Sequence, residues 1–234
     1  MLLKVGSAKT PKFGVSESGD TLELVERRKG GLSIILADGQ GSGPAAKRIS
    51  NLVVSRAIAL ISEGARDGAV ARAVHDVLYA LRDGKVSCEL TIISVDLHSR
   101  SVLISRNTAV PVYVVRHGEV MVCGASAKPI GVGEGVRPSI TEFPLEPGLL
   151  VAGFTDGILY SGLKRGLGDA AGSALELVSS RLSEDPQQLA DALLAMGIER
   201  DGGRPDDDMS AVVLGVVEFD GGHKIRKASV SFPV

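Results

Sequence analysis

Two separate pairs of helical stretches are set into an otherwise strand-like sequence, and this order leaves few folds open. In the first pair, Pro44 follows Ser42-Gly43 as a helix opener, and Ile49, Leu52, Val53, Ala57, Leu60 and Ile61 recur at helical spacing until Gly64. Val70, Ala73, Val74, Val77, Leu78 and Leu81 then give a second apolar face that ends at Gly84. The second pair covers 171–182 and 186–197, the latter capped by Asp185 with Pro186 in the first position. The remaining runs are short, β-branched and bounded by turn residues. They predict a hairpin of 21–28 and 32–37 across Lys29-Gly30-Gly31, and an antiparallel meander of 90–96, 102–106, 110–116, 120–123, 140–143 and 149–154. A last pair, 211–219 and 225–232, is expected to join across Asp220-Gly221-Gly222. Each apolar sheet face must be covered, so these insertions imply two packed sheets with a helix pair on each outer face. The expected fold class is α+β.

At 234 residues and 44% hydrophobic content, the chain is expected to fold as a single domain over 1–234. Its 26 basic and 28 acidic residues offer no concentrated basic face, so neither nucleic acid nor a membrane surface is expected as a partner. Cys88 and Cys123 have neither metal-ligand nor disulfide-framework spacing, and no apolar run reaches the roughly 18 residues of a membrane span. A soluble chain in a reduced, cytoplasmic setting is expected. No sensor domain is expected either, so a signal would arrive through a partner or through substrate supply. His75, His98, His117 and His223 are scattered and read as turn or surface residues, and Lys47 and Arg48 as solvated ones.

The acidic residues carry more. Asp38 ends an apolar run and is followed by Gly39-Gln40-Gly41-Ser42-Gly43. Glycine after a strand-end carboxylate lets the backbone approach a ligand, and a hard cation is bound by both carboxylate and carbonyl oxygens. Asp20 begins the partner strand, and the hairpin register puts it within about two residues of the position opposite Asp38. Asp156 follows the run 149–154, and Asp207 precedes the run 211–217; if these strands are antiparallel neighbours, their acids also converge. Four carboxylates at one point need a countercharge. An all-oxygen donor set without a His or Cys cluster favours magnesium or manganese over zinc or copper. Taken singly, each such Asp is more often a turn residue or helix cap. The 39–43 loop lacks a Walker lysine, and Asp206-Asp207-Asp208 lacks the alternating ligand spacing of an EF-hand.

Three motifs, Ala37-Asp38-Gly39-Gln40-Gly41-Ser42-Gly43, Thr155-Asp156-Gly157-Ile158 and Asp207-Asp208-Met209-Ser210-Ala211-Val212-Val213-Leu214, resemble in order and spacing those of the type 2C metal-dependent protein phosphatases. With the stretch 107–118 and Leu145-Glu146-Pro147-Gly148, they are most similar to the bacterial SpoIIE, RsbU and RsbX branch. The resemblance spans nearly the whole chain and implies a four-layer αββα sandwich. It implies that Asp38 bridges two manganese or magnesium ions, that the Gly39 carbonyl and Asp20 reach the second ion, and that Asp156 and Asp207 hold the first, with Asp208 open. The implied activity is hydrolysis of phosphoserine or phosphothreonine by a water that the two ions activate, with Asp38 and Asp156 catalytic through that water. The branch further implies a phosphorylated STAS-type, anti-anti-sigma regulatory protein as the substrate in a partner-switching pathway.

Two positions depart from eukaryotic relatives, which carry a His at Gln40 and a phosphate-binding Arg at Ser16. Gln cannot act as a general acid, so the proton for the leaving alkoxide falls to water. Two other readings stay open on the sequence: a catalytically weak phosphatase-like regulatory module, and a hydrolase of small phosphate esters or nucleotides.

Overall fold

Residues 1–182, 185–221 and 225–231 are described in the computed structural model of the chain. The elements follow in the order β1 (Leu2–Thr10), β2 (Asp20–Glu26), β3 (Gly31–Gly39), α1 (Gly43–Glu63), α2 (Asp67–Arg82), β4 (Cys88–Asp96) and β5 (Ser101–Asn107). Next come β6 (Val112–Arg116), β7 (Glu119–Cys123), β8 (Ser139–Pro144), β9 (Leu150–Phe154), α3 (Asp156–Leu159), α4 (Ala171–Ser180), α5 (Pro186–Arg200) and β10 (Met209–Val217). One sheet runs β1-β10-β9-β6-β7 and the other β2-β3-β4-β5-β8, with antiparallel pairing throughout.

Alternation along the central strands sets the layers. In β3, Ile34 and Leu36 face the seam between the sheets, where they meet Val112, Val114, Val151, Val212 and Leu214. Ile35 and Ala37 face the other way, onto Val53 and Ala57 of α1 and Val70, Val74 and Leu78 of α2. In β10, Ala211 and Val213 likewise turn outward to Leu189 and Leu193 of α5 and Val178 of α4. Apolar residues on both faces of one strand fit a layer buried on both sides, and the four-layer α+β sandwich follows. Among the described residues no helix is long and apolar enough to cross a membrane.

The helical expectations hold. Gly64 ends α1 in the left-handed region, and the Asp185 carboxylate accepts from Gln187 N at the start of α5. Two strand expectations change, and one strand is new. The 90–154 stretch is not one meander: β4, β5 and β8 join one sheet while β6, β7 and β9 join the other. No strand forms in 225–231, and Phe232 and Gly222 lie outside the described residues. The place expected for that strand is taken, because β10 has β9 on one side and β1 on the other. β1 itself was not anticipated, since Lys4, Gly6, Ser7 and Lys9 dilute its pattern, yet Leu3 and Val5 pack on the seam.

Beneath α2 lies a buried polar knot. Arg27 donates to the Asp67 carboxylate at 2.8 Å and to Ser33 and Ser94 hydroxyls at 2.8 and 3.0 Å, and those two serines are cross-strand partners bonded to each other. It ties the far end of the β2–β3 hairpin to the first turn of α2.

Candidate functional site

Asp20 and Asp38 are paired directly across β2 and β3, as the hairpin register requires. The other two acids flank strands of the opposite sheet, Asp156 just after β9 and Asp207 just before β10. Phe154 pairs with Ala211, so the end of β9 lies beside the start of β10, and Asp156 at the head of α3 stands near Asp207. The four sequence-selected carboxylates are therefore brought together where the two sheets meet.

Asp20 is the most enclosed of them. It is fully buried, and its Oδ2 accepts from Ser210 Oγ at 2.6 Å and Thr155 Oγ1 at 3.0 Å, both from the opposite sheet side. Its Oδ1 is buried with no hydrogen-bond partner. Burial, with the nearby charges of Asp208 and Asp156, pushes the Asp20 carboxyl up to about 7 despite those two hydroxyls. Asp38 is pushed well above the ordinary range by burial and by the charges of Asp20 and Asp156. Asp207 is raised too, chiefly by burial, although its oxygen accepts from Asp208 N at 2.9 Å. Such a cluster is short of positive charge.

Gly39 and Gly157 allow the close packing that assembles this cluster. A Cβ on Gly39 would lie 2.2 Å from the Ala46 carbonyl oxygen, and one on Gly157 would lie 2.0 Å from that of Asp208. Backbone cannot yield as a flexible side chain can. Gly157→Ala should therefore destabilise the protein by about 1–3 kcal/mol or more, read as a lower urea midpoint. Gly172→Ala in α4, where a Cβ meets nothing within 4 Å, should be neutral or slightly stabilising in the same assay.

Other residues take roles that their sequence context did not show. Both Asp208 oxygens are engaged by backbone amides, Lys12 N and Gly19 N, each at 2.9 Å, so Asp208 clamps the segment leading into β2. Lys47 is half-buried rather than solvated: its ammonium donates to the Asp20 carbonyl at 2.6 Å and to Thr21 Oγ1 at 2.9 Å, while Arg48 is exposed. His75 is buried and accepts from Gly131 N at 3.0 Å, so it is a core residue, whereas His98 and His117 are exposed and His223 lies outside the described residues. Gln40 turns its Oε1 to Ser87 N at 2.9 Å, and Ser16 is exposed. Cys88 is a buried thiol and Cys123 a half-buried one.

Glu89 was missed altogether. It is the cross-strand partner of Asp38, accepts from Thr108 Oγ1, and is pushed up to about 7 by burial and by the charges of Asp156 and Asp20. The available signal was a carboxylate within an apolar strand run, Cys88-Glu89-Leu90.

A divalent cation suits this donor set: carboxylates that repel one another, a fully buried oxygen without a partner, and backbone close by. Among the described residues no group of three or more His, Cys, Asp or Glu side chains already stands in coordination geometry, so the carboxylates are neighbours rather than a formed cage.

The Stage II sporulation protein E (SpoIIE) family model matches residues 28–217. Stage II sporulation protein E of Bacillus subtilis is 24% identical over 212 residues, which cover 91% of this chain and 25% of that protein, so the chain spans a quarter of that relative's length. The structure of the PP2C phosphatase domain and a fragment of the regulatory domain of SpoIIE from Bacillus subtilis superposes with a TM-score of 0.81 at 23% identity, covering 92% of this chain and 64% of that one. The catalytic domain of the serine/threonine protein phosphatase PstP in complex with two manganese ions gives a TM-score of 0.70 at 17% identity, covering 92% and 99%. With most of its length matched by the family model and its two sheets arranged as in PP2C phosphatase domains, this chain belongs to the Stage II sporulation protein E (SpoIIE) family.

Proposed function

We propose that the chain is a single, cytoplasmic, metal-dependent protein serine/threonine phosphatase domain acting in a bacterial partner-switching pathway. The observation that carries this reading is that carboxylates from the ends of both sheets lie near one another, among them Asp20, whose buried Oδ1 has no hydrogen-bond partner. Family membership and the manganese bound to PstP support it.

On this reading, Asp38, the Gly39 carbonyl, Asp20, Asp156 and Asp207 hold two manganese or magnesium ions. When bound, such ions lower the pKa of water and offset charge on phosphoryl oxygens. The chain's own part is to hold the donors in place. Thr155 and Ser210 fix Asp20 through Oδ2, which leaves the buried Oδ1 without a hydrogen-bond partner. Lys47 anchors the Asp20 backbone, and Asp208 anchors the segment before it. A water oxygen bonds to phosphorus, the bond to the seryl or threonyl oxygen breaks, and that oxygen takes a proton. Gln40, engaged with Ser87, has no acidic proton to give, so solvent supplies it. The proposed substrate is a phosphorylated regulator of the STAS, anti-anti-sigma type, recognised by surface beyond the phosphate because one phosphoserine resembles another.

The test compares second-order rate constants at one manganese concentration for a folded phosphorylated STAS-type regulator, a peptide copied from its phosphorylation site, and a nucleoside triphosphate. The folded regulator should react far faster than either. Excess chelator should stop turnover and manganese should restore it; undiminished turnover in chelator would reject the reading. Equal rates for regulator and peptide would remove the protein-surface part of it, and preference for the nucleotide would favour a small-molecule hydrolase.

A further inference from the structure

Glu89 stands inside the acidic cluster yet belongs to none of the motifs that define the site. It is half-buried, lies directly across from Asp38 in the β3–β4 register, and has Asp156 and Asp20 as electrostatic neighbours. Its Oε2 accepts a 2.5 Å hydrogen bond from Thr108 Oγ1. That hydroxyl oxygen is itself an acceptor for Val110 N at 2.9 Å, and its single proton is therefore directed to Glu89. Thr108 is held in turn by Ala127 N, which donates to its carbonyl. The carboxylate is thus aimed, not merely present.

A small cavity of about 10 Å3, near the room one water needs, is bordered by Asp38, Glu89, Thr108 and Thr155 on its polar side and by Leu36, Leu90 and Phe154 on its apolar side. Independently, the buried Asp20 Oδ1 in the same cluster has no partner. Placing another carboxylate beside carboxylates is costly unless a cation answers the charge, so a purely structural role would be served better by a neutral residue.

We infer that Glu89 is a positioning residue of the divalent-cation site, a carboxylate beside Asp38 that strengthens cation binding through its charge and by accepting hydrogen bonds from water in this cavity, with Thr108 fixing its direction. The inference rests on the phosphatase reading only in requiring that the acidic cluster binds a divalent cation.

Manganese is titrated calorimetrically into the full chain as wild type, Glu89→Gln, Thr108→Val and Asp38→Asn, and each protein is melted with and without manganese at one mildly alkaline pH. Glu89→Gln should weaken the manganese Kd by about tenfold or more, the range for residues that support metal ligands, and Thr108→Val should do so to a smaller degree. Without metal, Glu89→Gln should melt higher than wild type, because a like charge has been removed. An unchanged Kd in Glu89→Gln beside lost binding in Asp38→Asn overturns the role of Glu89 and leaves the cation site standing. A Glu89→Gln protein that melts lower without metal, or does not fold, assigns Glu89 to structure and overturns the inference. Absence of manganese binding by wild type overturns both.

Discussion

Asp38→Ala and Asp156→Ala are each expected to abolish manganese-dependent phosphatase activity while the fold survives. Asp38 stands in β3 and Asp156 at the head of α3, just past the end of β9 in the other sheet, and their charges act on each other. On the proposed reading, losing either should cost about 3 kcal/mol or more of transition-state stabilisation, roughly a hundredfold or more in kcat/KM, because bound cations would share the developing charge. Circular dichroism should be unchanged, and the metal-free variants should melt no lower than wild type. The same charges give a pH signature. The folded-state pKa of Asp20 lies about 7, against an ordinary 3.8, mainly through burial. Between these values the folded protein keeps a proton that the unfolded chain has lost, so metal-free stability should fall as pH rises through this window. Saturating manganese should offset that fall. Full activity in either Ala variant would remove the acidic cluster from the reaction.

The largest effect on stability is expected at Arg27. Arg27→Ala leaves the Asp67 carboxylate almost wholly buried without its cation, and Asp67 Oδ2 already lacks a partner. Breaking a buried pair from one side costs about 3–5 kcal/mol, which would lower the urea midpoint sharply. The first turn of α2 favours a negative charge at Asp67 and moderates the loss. The double variant Arg27→Met, Asp67→Leu should recover much of it, since no charge is then stranded. If Arg27→Ala and the double variant lose equal stability, packing rather than charge holds this knot together.

Much of the site was legible because its spacing is local. The turn at Lys29-Gly30-Gly31 fixes which residue faces Asp38, so Asp20 could be placed from the sequence, and it lies directly opposite. Asp156 and Asp207 could be brought together from the polarity of two strands that turned out to be neighbours. Sheet membership was not legible in the same way. β5 and β6 are both largely buried and only a few residues apart, yet they join different sheets, because strands buried on both faces carry no local mark of their partner. Glu89 was overlooked, Lys47 was read as solvated and Asp208 was left open for a related reason. Their roles depend on Thr108, on the Asp20 carbonyl and on the Lys12 and Gly19 amides, groups that sequence distance separates from them.

The bonds from Thr155 and Ser210 to Asp20 cross from one sheet to the other. Neither half of the sandwich therefore contains the site, which comes into being when the halves dock. Between them the seam is built of Val, Ile and Leu, side chains that pack well but carry little directional information about lateral alignment. The polar bonds at the end of the seam supply that information, much as a dowel fixes two planed boards. A ligand bound across the joint would add its binding free energy to the docking of the layers, so the protein should resist shear and unfolding most when it is ready to act.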